Sequence, residues 1–361
     1  MTKITHVITD SNIGGAGILL RNLLSEIDRR DFAFEVILPR GAALTPLLSA
    51  LEIPLLEADI SPDRSFSPKD FFLFRRILSK NPTDILHTHG AFSARLAGRS
   101  LSLPKCILTR HCDTPLKMPT FIYNKTADLT VCTSFPLYEH MLSYGVPKEK
   151  LQLIVNGAKE SIVISEEKKK ELRSLFHIPP DSKVIGIVGR LEKIKGQAVF
   201  LRGASEVLSV RRDCVFMLVG DGSERQALEA LCERLGISDF VRFCGHRQNA
   251  NEIMNLFDVS VNSSYGSETS SLAISEALSL GIAVVASDIE GNRHLLNFGG
   301  GGMLFKCGDA LSLSRSILSL LENDRARNAL AKRGYELYKN ELNASVMARK
   351  YEALYRALSK D

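Results

Sequence analysis

Two glutamates, Glu268 and Glu276, lie eight residues apart in a segment that reads YGSETSSLAISEA. Glu268 falls in a polar loop with Thr269, Ser270 and Ser271, and Glu276 falls one or two turns into the predicted helix that follows. Carboxylates accept hydrogen bonds from hydroxyl groups, while the N–H groups of a helix start bind phosphate. The segment therefore predicts a site for a sugar-rich anion. The alternative is a solvated glutamate beside a hydroxyl N-cap.

A basic turn precedes this segment in the chain. A β-branched strand ends at Gly189, and Arg190, Lys193 and Lys195 follow before a helix opens near Gln197. A guanidinium fork and a mobile ammonium group together can neutralise a diphosphate without a metal ion. The turn is thus a second candidate anion site, with an ordinary solvated loop as the alternative.

A glycine-rich turn follows the first predicted strand. It runs over residues 10–17 as DSNIGGAG, and Gly15 lies in its middle. Glycines between a strand and a helix let backbone N–H groups approach an anion closely. The spacing departs from G-x-G-x-x-G, so the sequence does not predict a nicotinamide site.

Histidines end two of the predicted strands. His111 ends an apolar strand and could hydrogen-bond a sugar hydroxyl or stabilise charge, with an ordinary pKa close to physiological pH, or it could be structural. His87 and His89 end another strand and are interpreted mainly as structure, because a metal site there would lack a third visible ligand.

Strands alternate with helical patterns along the chain, which favours βαβ units and parallel sheets. We predict an N-terminal Rossmann-like domain over residues 1–160, a linker over 161–180 with a short helix near 166–176, a C-terminal Rossmann-like domain over 181–341, and a last helix over 342–361 that returns to the first domain. The predicted strands are Ile4–Ile8, Phe34–Ile37, Ile85–Leu86, Cys106–Leu108, Leu129–Val131, Leu151–Ile154, Val184–Val188, Cys214–Val219, Phe240–Cys244, Phe257–Val261 and Ile282–Ala286.

Composition agrees with this division. The 361 residues are 45% hydrophobic and 24% charged, as in globular proteins of two domains. A net charge of +5 is too small to predict nucleic-acid binding. Seven cysteines without C-x-x-C spacing, no signal-peptide pattern and no long apolar run predict a cytoplasmic protein, soluble or peripheral at the inner face of the membrane.

Three motifs, taken in chain order, resemble those of retaining GT-B glycosyltransferases of family 4. They are the turn GRLEKIKG at 189–196, the turn VGDGSE at 219–224, and the spacing of Glu268 and Glu276. The resemblance covers nearly the whole chain. It implies two Rossmann-like doubly wound parallel-sheet domains facing across a cleft, and transfer of a sugar, with retention, from a nucleoside-diphosphate sugar to a glycan or lipid-linked acceptor in cell-envelope glycan biosynthesis. A UDP-sugar is the expected donor.

The resemblance also implies roles for individual residues. Glu276 would hold the ribose hydroxyls and Glu268 those of the transferred sugar, while His111 would reach that sugar. The implied catalytic residues are His111, Arg190, Lys195 and Glu268. The implied nucleotide-sugar contacts are Gly15, Gly189, Gly222, Thr269, Ser270, Ser271, Leu272 and Glu276.

No metal or other cofactor is expected. Glycosyltransferases of the other common fold hold a metal with an Asp-x-Asp motif, which this sequence lacks. Departure of a nucleoside diphosphate develops negative charge, which Arg190, Lys195 and the helix start after Ser270 would stabilise instead.

Two alternatives stay open at the level of sequence. One is a sugar-nucleotide epimerase or hydrolase on the same fold. The other is a non-catalytic relative that binds nucleotide sugar, because residues 269–271 read TSS where many members have Gly-Phe-Gly. The acceptor is not encoded in a motif. Residues 70–80, DFFLFRRILSK, could lay a helix on an anionic membrane, but Phe71, Phe74 and Leu78 share one helical face and favour a place in the core.

Overall fold

The computed structural model describes residues 1–11, 13–62, 66–103, 105–113, 116, 119–247, 249–266, 270–297 and 300–359. The chain divides into two compact units. Unit 1 comprises Met1–Ala158 and Ala344–Asp361, and unit 2 comprises Lys159–Asn343. The segment 161–180, predicted as a linker, belongs to unit 2, where its predicted helix is present.

Unit 1 is built on a seven-stranded parallel sheet with the order β3-β2-β1-β4-β5-β6-β7. Its strands are β1 (Thr2–Ile8), β2 (Phe32–Pro39), β3 (Leu55–Ala58), β4 (Ile85–His89), β5 (Lys105–Arg110), β6 (Leu129–Cys132) and β7 (Leu151–Leu153). Its helices are α1 (Gly15–Glu26), α2 (Thr45–Ser49), α3 (Pro68–Lys80), α4 (Phe92–Ser100), α5 (Thr120–Thr126), α6 (Phe135–Ser143) and the C-terminal α15 (Ala344–Leu358).

Unit 2 is built on a six-stranded parallel sheet with the order β10-β9-β8-β11-β12-β13. Its strands are β8 (Lys183–Val188), β9 (Cys214–Val219), β10 (Val241–Gly245), β11 (Val259–Asn262), β12 (Ala283–Ser287) and β13 (Met303–Phe305). Its helices are α7 (Glu166–Leu175), α8 (Gln197–Val210), α9 (Arg225–Leu235), α10 (Ala250–Met254), α11 (Leu272–Ser279), α12 (Glu290–Asn297), α13 (Ala310–Leu321) and α14 (Asp324–Leu337).

Apolar runs in the sequence become the central strands because both faces of a parallel sheet are covered by helices. All six residues of β9 are buried, and the predicted run Cys214–Val219 has the same bounds as the strand. Two short strands, β3 and β13, were not predicted. Both lie at an edge of their sheet, and three of the four residues of β3 are only half-buried, so neither carries a long apolar signal.

Helix α3 packs on the sheet of unit 1, as the apolar face of residues 70–80 predicted. Phe74 and Leu78 are buried, and Phe71 packs against the same cluster. The N-cap Ser67 accepts a hydrogen bond from the Asp70 N–H at 3.2 Å. None of the helices in the described ranges has the length and apolar character that crossing a membrane requires.

Helix α15 belongs to the core of unit 1, although it lies at the other end of the sequence. Its buried residues Met347, Tyr351 and Tyr355 pack with Ile4 and Leu23. The Ala344 N–H also donates to the Ala158 carbonyl at 2.8 Å. The last helix is therefore an element of the first domain.

Candidate functional site

Unit 2 has the strand order of a Rossmann fold, with its first strand at the centre. β8 pairs with β9 on one side and with β11 on the other, so the chain reverses its direction of winding between β8 and β11. Ligands of open α/β sheets bind outside the carboxyl ends of the strands at such a switch point. The loops that follow β8 and β11 carry the two anion-binding segments predicted from the sequence.

The basic turn begins directly after β8. Gly189 has a φ of +155°, and the Arg190 side chain, 75% exposed, forms an ion pair with Glu192 at 2.8 Å. Lys195 ends a 3-10 helix, Lys193–Lys195, and α8 begins two residues later at Gln197. The buried Gln197 amide donates to the Arg190 carbonyl at 2.8 Å and so holds the turn on the start of α8.

The basic turn is joined to the loop after β11. Ser263 Oγ donates to the carbonyls of Lys195 and Gly196 at 3.1 and 2.9 Å, and the Tyr265 N–H donates to the Ile194 carbonyl at 2.9 Å. A Cβ on Gly196 would lie 2.0 Å from the Ser263 carbonyl oxygen. Because the backbones approach this closely, the two loops form one surface. The sequence motifs did not predict this role for Ser263.

The helix predicted after the polar loop is α11, which begins at Leu272. Ser271 is its N-cap residue, but the Ser271 hydroxyl accepts from Asn262 Nδ2 at 3.1 Å instead of capping the helix. Glu276 lies in the second turn, as predicted, and Ser270 Oγ is buried without a hydrogen-bond partner in the described part of the chain. Glu268 and Thr269 lie outside the described residues.

Buried polar side chains support the start of α11 from below. Asn262 Oδ1 accepts from the Ser264 N–H and from Asn292 Nδ2, both at 3.2 Å. Asn292 Nδ2 also lies 3.1 Å from the Ser287 carbonyl. Satisfied networks of this kind rigidify a buried region. They connect the ends of β11 and β12 with α12 beneath the polar loop.

The predicted glycine at 222 lies in a turn that packs on the basic turn. The Leu191 N–H donates to the Asp221 carbonyl at 2.9 Å, and the Glu224 N–H donates to the Leu191 carbonyl at 3.0 Å. A Cβ on Gly222 would lie 2.4 Å from the Leu191 carbonyl oxygen. The geometry thus requires glycine for backbone packing, and a direct contact of Gly222 with nucleotide stays a prediction.

In unit 1 the glycine-rich segment is partly helical. Gly15 is the first residue of α1, whereas the sequence analysis placed residues 10–17 in a loop. The Ile18 N–H donates to the Gly14 carbonyl at 3.1 Å, so a helical hydrogen bond already forms among these glycines. Gly15 is exposed at this helix start, where a backbone N–H can meet an anion.

His111 follows β5 directly and is half-buried. Its Nε2 lies 2.9 Å from Nδ1 of His89, whose Nε2 lies 3.1 Å from Nδ1 of His6. Burial lowers the pKa of His111 to about 4 and that of His6 to about 3, and it holds the pKa of His89 well below its ordinary value. His111 is therefore a neutral hydrogen-bonding group at physiological pH. The expectation of a pKa near physiological pH was wrong, because the ring is desolvated.

The third imidazole absent from the sequence interpretation of His87 and His89 is His6, which pairs with His87 across β1 and β4. One ring nitrogen from each of the three lies within 4.8 Å of the others. However, His87 Nδ1 lies 2.7 Å from Tyr355 Oη, and His87 Nε2 lies 2.7 Å from Thr109 Oγ1. Both nitrogens of His89 are also occupied. The cluster therefore fits a hydrogen-bond network better than a metal site.

Family comparisons agree with the two-unit division. The sequence model described as Glycosyltransferase Family 4 matches residues 13–161, and the one described as Glycosyl transferases group 1 matches residues 168–337. The chain belongs to family 4 of the glycosyltransferases, group 1. The resemblance stated from the motifs is thereby confirmed, and so is the enzyme class at the level of the family.

Individual relatives extend this result. The chain is 28% identical over 229 residues to the lipopolysaccharide core biosynthesis glycosyltransferase LpsE of Rhizobium meliloti (strain 1021), an alignment that covers 63% of each protein. The chain thus spans less than two thirds of that relative. A glycosyltransferase from Rickettsia africae ESF-5 has a TM-score of 0.87 at 19% identity and covers 100% of this chain and 99% of its own.

A third similar protein is Anabaena Alr3699/HepE, solved in complex with UDP-glucose. It has a TM-score of 0.81 at 20% identity, and the match covers 99% of this chain and 100% of that one. At these identities the solved structures show the fold alone. The predicted GT-B class, with two parallel-sheet α/β domains, is confirmed.

Proposed function

We propose that this protein is a retaining, metal-independent glycosyltransferase. It moves a sugar from a nucleoside-diphosphate sugar, with a UDP-sugar as the expected donor, to a glycan or lipid-linked acceptor. The observation that carries the proposal is the joining of the basic turn to the loop before α11 at the switch point of unit 2. Cationic side chains and a helix start thus share the edge of the sheet where a diphosphate would bind.

The leaving group accounts for the residues of this surface. Departure of the diphosphate leaves negative charge on phosphate oxygens, and preorganised positive groups stabilise it in the transition state. Arg190 offers a planar fork and Lys195 a point charge, while the helix dipole of α11 adds backbone N–H groups. These groups would replace the metal ion of the other glycosyltransferase fold.

The glutamates bind sugar hydroxyls in this proposal. Glu276 would accept from the ribose, and Glu268 from the transferred sugar. On the same-face mechanism implied by retention, the departing phosphate accepts the proton of the acceptor hydroxyl as the new glycosidic bond forms. No protein nucleophile is then needed, and the carboxylates act in binding.

Two comparisons support the substrate classes. HepE is described in complex with UDP-glucose, and LpsE acts in lipopolysaccharide core biosynthesis. By likeness we propose a UDP-sugar donor and an acceptor of the cell-envelope glycans. A cytoplasmic site of action with peripheral membrane contact belongs to the same proposal.

Ligand-induced stabilisation tests the donor site. UDP, GDP and ADP are each added at about 1 mM, and the thermal unfolding midpoint is measured. A nucleotide at about a hundred times its dissociation constant stabilises the fold by roughly 2.7 kcal/mol. We expect UDP to give the largest shift. Equal shifts for all three, or none, would contradict a UDP-specific site.

A charge-matched pair of variants tests the leaving-group role. Lys195→Ala removes the ammonium group of the basic turn, while Lys170→Ala removes one from α7, which borders Asp258 at the opposite end of β11. We expect Lys195→Ala to abolish turnover and Lys170→Ala to preserve it. An unchanged rate in Lys195→Ala would refute the role. Product analysis with and without acceptor, in buffer containing a metal chelator, separates transfer from hydrolysis or epimerisation and tests metal independence.

A further inference from the structure

Three histidine rings of unit 1 form a continuous hydrogen-bonded chain that ends at His111. It runs from His6 in β1 through His89 at the end of β4 to His111 after β5, with N···N distances of 3.1 and 2.9 Å. Successive rings are stacked, with centroids 5.3 and 5.2 Å apart. His87 lies beside the chain but does not join it, because hydroxyl groups occupy both of its nitrogens.

A neutral imidazole has one N–H donor and one acceptor nitrogen, so a chain of rings can be protonated in only two ordered ways. Desolvation keeps the rings neutral, since it lowers the pKa of His6 to about 3 and that of His111 to about 4. In the first arrangement each ring carries its proton on Nδ1. In the second arrangement each ring carries it on Nε2.

The inner end of the chain distinguishes the two arrangements. His6 is fully buried, and its Nε2 has no hydrogen-bond partner among the residues that the structure describes. The second arrangement would place an N–H there, and buried N–H groups without an acceptor are rare and costly. The first leaves only a lone pair at this position. It also carries the last N–H of the chain to His111, at the carboxyl edge of the sheet where ligands of this fold bind.

We propose that His6 and His89 are positioning residues that hold His111 as its Nδ1–H tautomer, so that His111 meets the transferred sugar as a hydrogen-bond donor. The inference rests on the proposed glycosyl transfer and deepens the role of His111 in it. Nε2 of His111 faces His89, so contact with a sugar hydroxyl oxygen uses Nδ1. A ring protonated at that atom donates to the substrate and does not remove a proton from it.

The tautomer itself can be measured without any substrate. The protein is labelled with 15N in its histidines, and one- and two-bond 1H–15N correlations distinguish rings protonated at Nδ1 from rings protonated at Nε2. The signals of His111 are assigned by their loss in His111→Gln. We expect Nδ1 protonation of His111. Nε2 protonation would overturn the proposal, whether or not the protein proves to be a glycosyltransferase.

A pair of substitutions at His6 tests the link between the chain and turnover. His6→Phe fills the space but removes the N–H that His89 receives, while His6→Asn keeps an N–H close to the position of Nδ1. We expect His6→Phe to lower kcat/KM about tenfold and to yield both tautomers of His111. His6→Asn should restore most of the rate and the single tautomer.

Stabilisation by UDP, measured on each variant, shows that unit 2 still folds and binds nucleotide. With that control met, a purely structural role of His6 would lower the rate equally in both variants and leave the tautomer of His111 unchanged. This result would overturn the proposal. A protein that lacks transfer activity altogether would refute the proposed function, and the tautomer measurement would still decide the arrangement of the chain.

Discussion

Gly196 is the residue at which the basic turn touches the loop after β11, and its substitution tests whether this contact organises the site. Its φ is +66°, in the left-handed region, and a Cβ there would lie 2.0 Å from the Ser263 carbonyl oxygen. Alanine would therefore bring a cost of about 1–2 kcal/mol for the left-handed backbone. It would also force the two loops apart.

Separation of the loops breaks hydrogen bonds that can be counted. Ser263 Oγ donates to the Lys195 and Gly196 carbonyls at 3.1 and 2.9 Å, and each such bond contributes about 1 kcal/mol to stability. We expect Gly196→Ala to lower the free energy of unfolding of unit 2 by about 3–4 kcal/mol. That loss corresponds to a fall of about 10 °C in the unfolding midpoint. Stabilisation by UDP should disappear as well, because the cationic turn no longer meets α11.

Gly281 provides a matched control. Its φ is +65°, almost that of Gly196, but no atom lies within 4 Å of an added Cβ. Gly281→Ala should therefore cost only the left-handed contribution of about 1–2 kcal/mol and keep the response to UDP. Urea unfolding followed by circular dichroism, and thermal melts with and without about 1 mM UDP, give both quantities. Equal stability and equal UDP binding in the two variants would refute the argument.

Three further predictions concern buried polar groups. Lowering the pH from 7 to 5 should cost about 2 kcal/mol of stability each for His6 and His111, because their folded pKa values of about 3 and 4 lie below the unfolded value and the unfolded chain takes up more protons in this window; urea unfolding at the two pH values checks the sign and the size. Tyr355→Phe should cost about 1–3 kcal/mol, since it leaves the buried Nδ1 of His87 without its partner, and a denaturation midpoint equal to that of the unsubstituted protein would contradict this. Asn292→Ala should cost a similar amount and weaken UDP binding by disordering the support of α11, whereas a lower stability with unchanged UDP affinity would show that the support is not needed for binding.

Strand positions were predictable wherever burial was complete. Cys214–Val219 is a run of apolar residues that only a strand covered on both faces accommodates, and it forms β9 with the predicted bounds. The edge strands β3 and β13 were missed because short, half-covered strands tolerate mixed residues. The helix in the connecting segment was predicted from its composition and is observed as α7.

The candidate site was predicted in pieces. The basic turn and the segment before α11 each stood at the end of a predicted strand, and both segments lie there in the structure. Their contact through Ser263 could not be predicted, because it depends on β11 pairing with β8 across most of unit 2. The histidine chain was missed for the same reason. His6 is an unremarked polar residue in an apolar strand until β1 pairs with β4.

The sequence by itself determined the fold class, the family and the kinds of chemical group available for an anionic sugar nucleotide, because burial patterns and turn motifs are local properties of the chain. The tertiary structure decided which of those groups meet. Strand order brought the basic turn to the start of α11, and it enclosed His6 so that His111 lies at the end of a neutral imidazole chain. Pairing between distant strands follows from packing of the whole sheet, which no local pattern encodes.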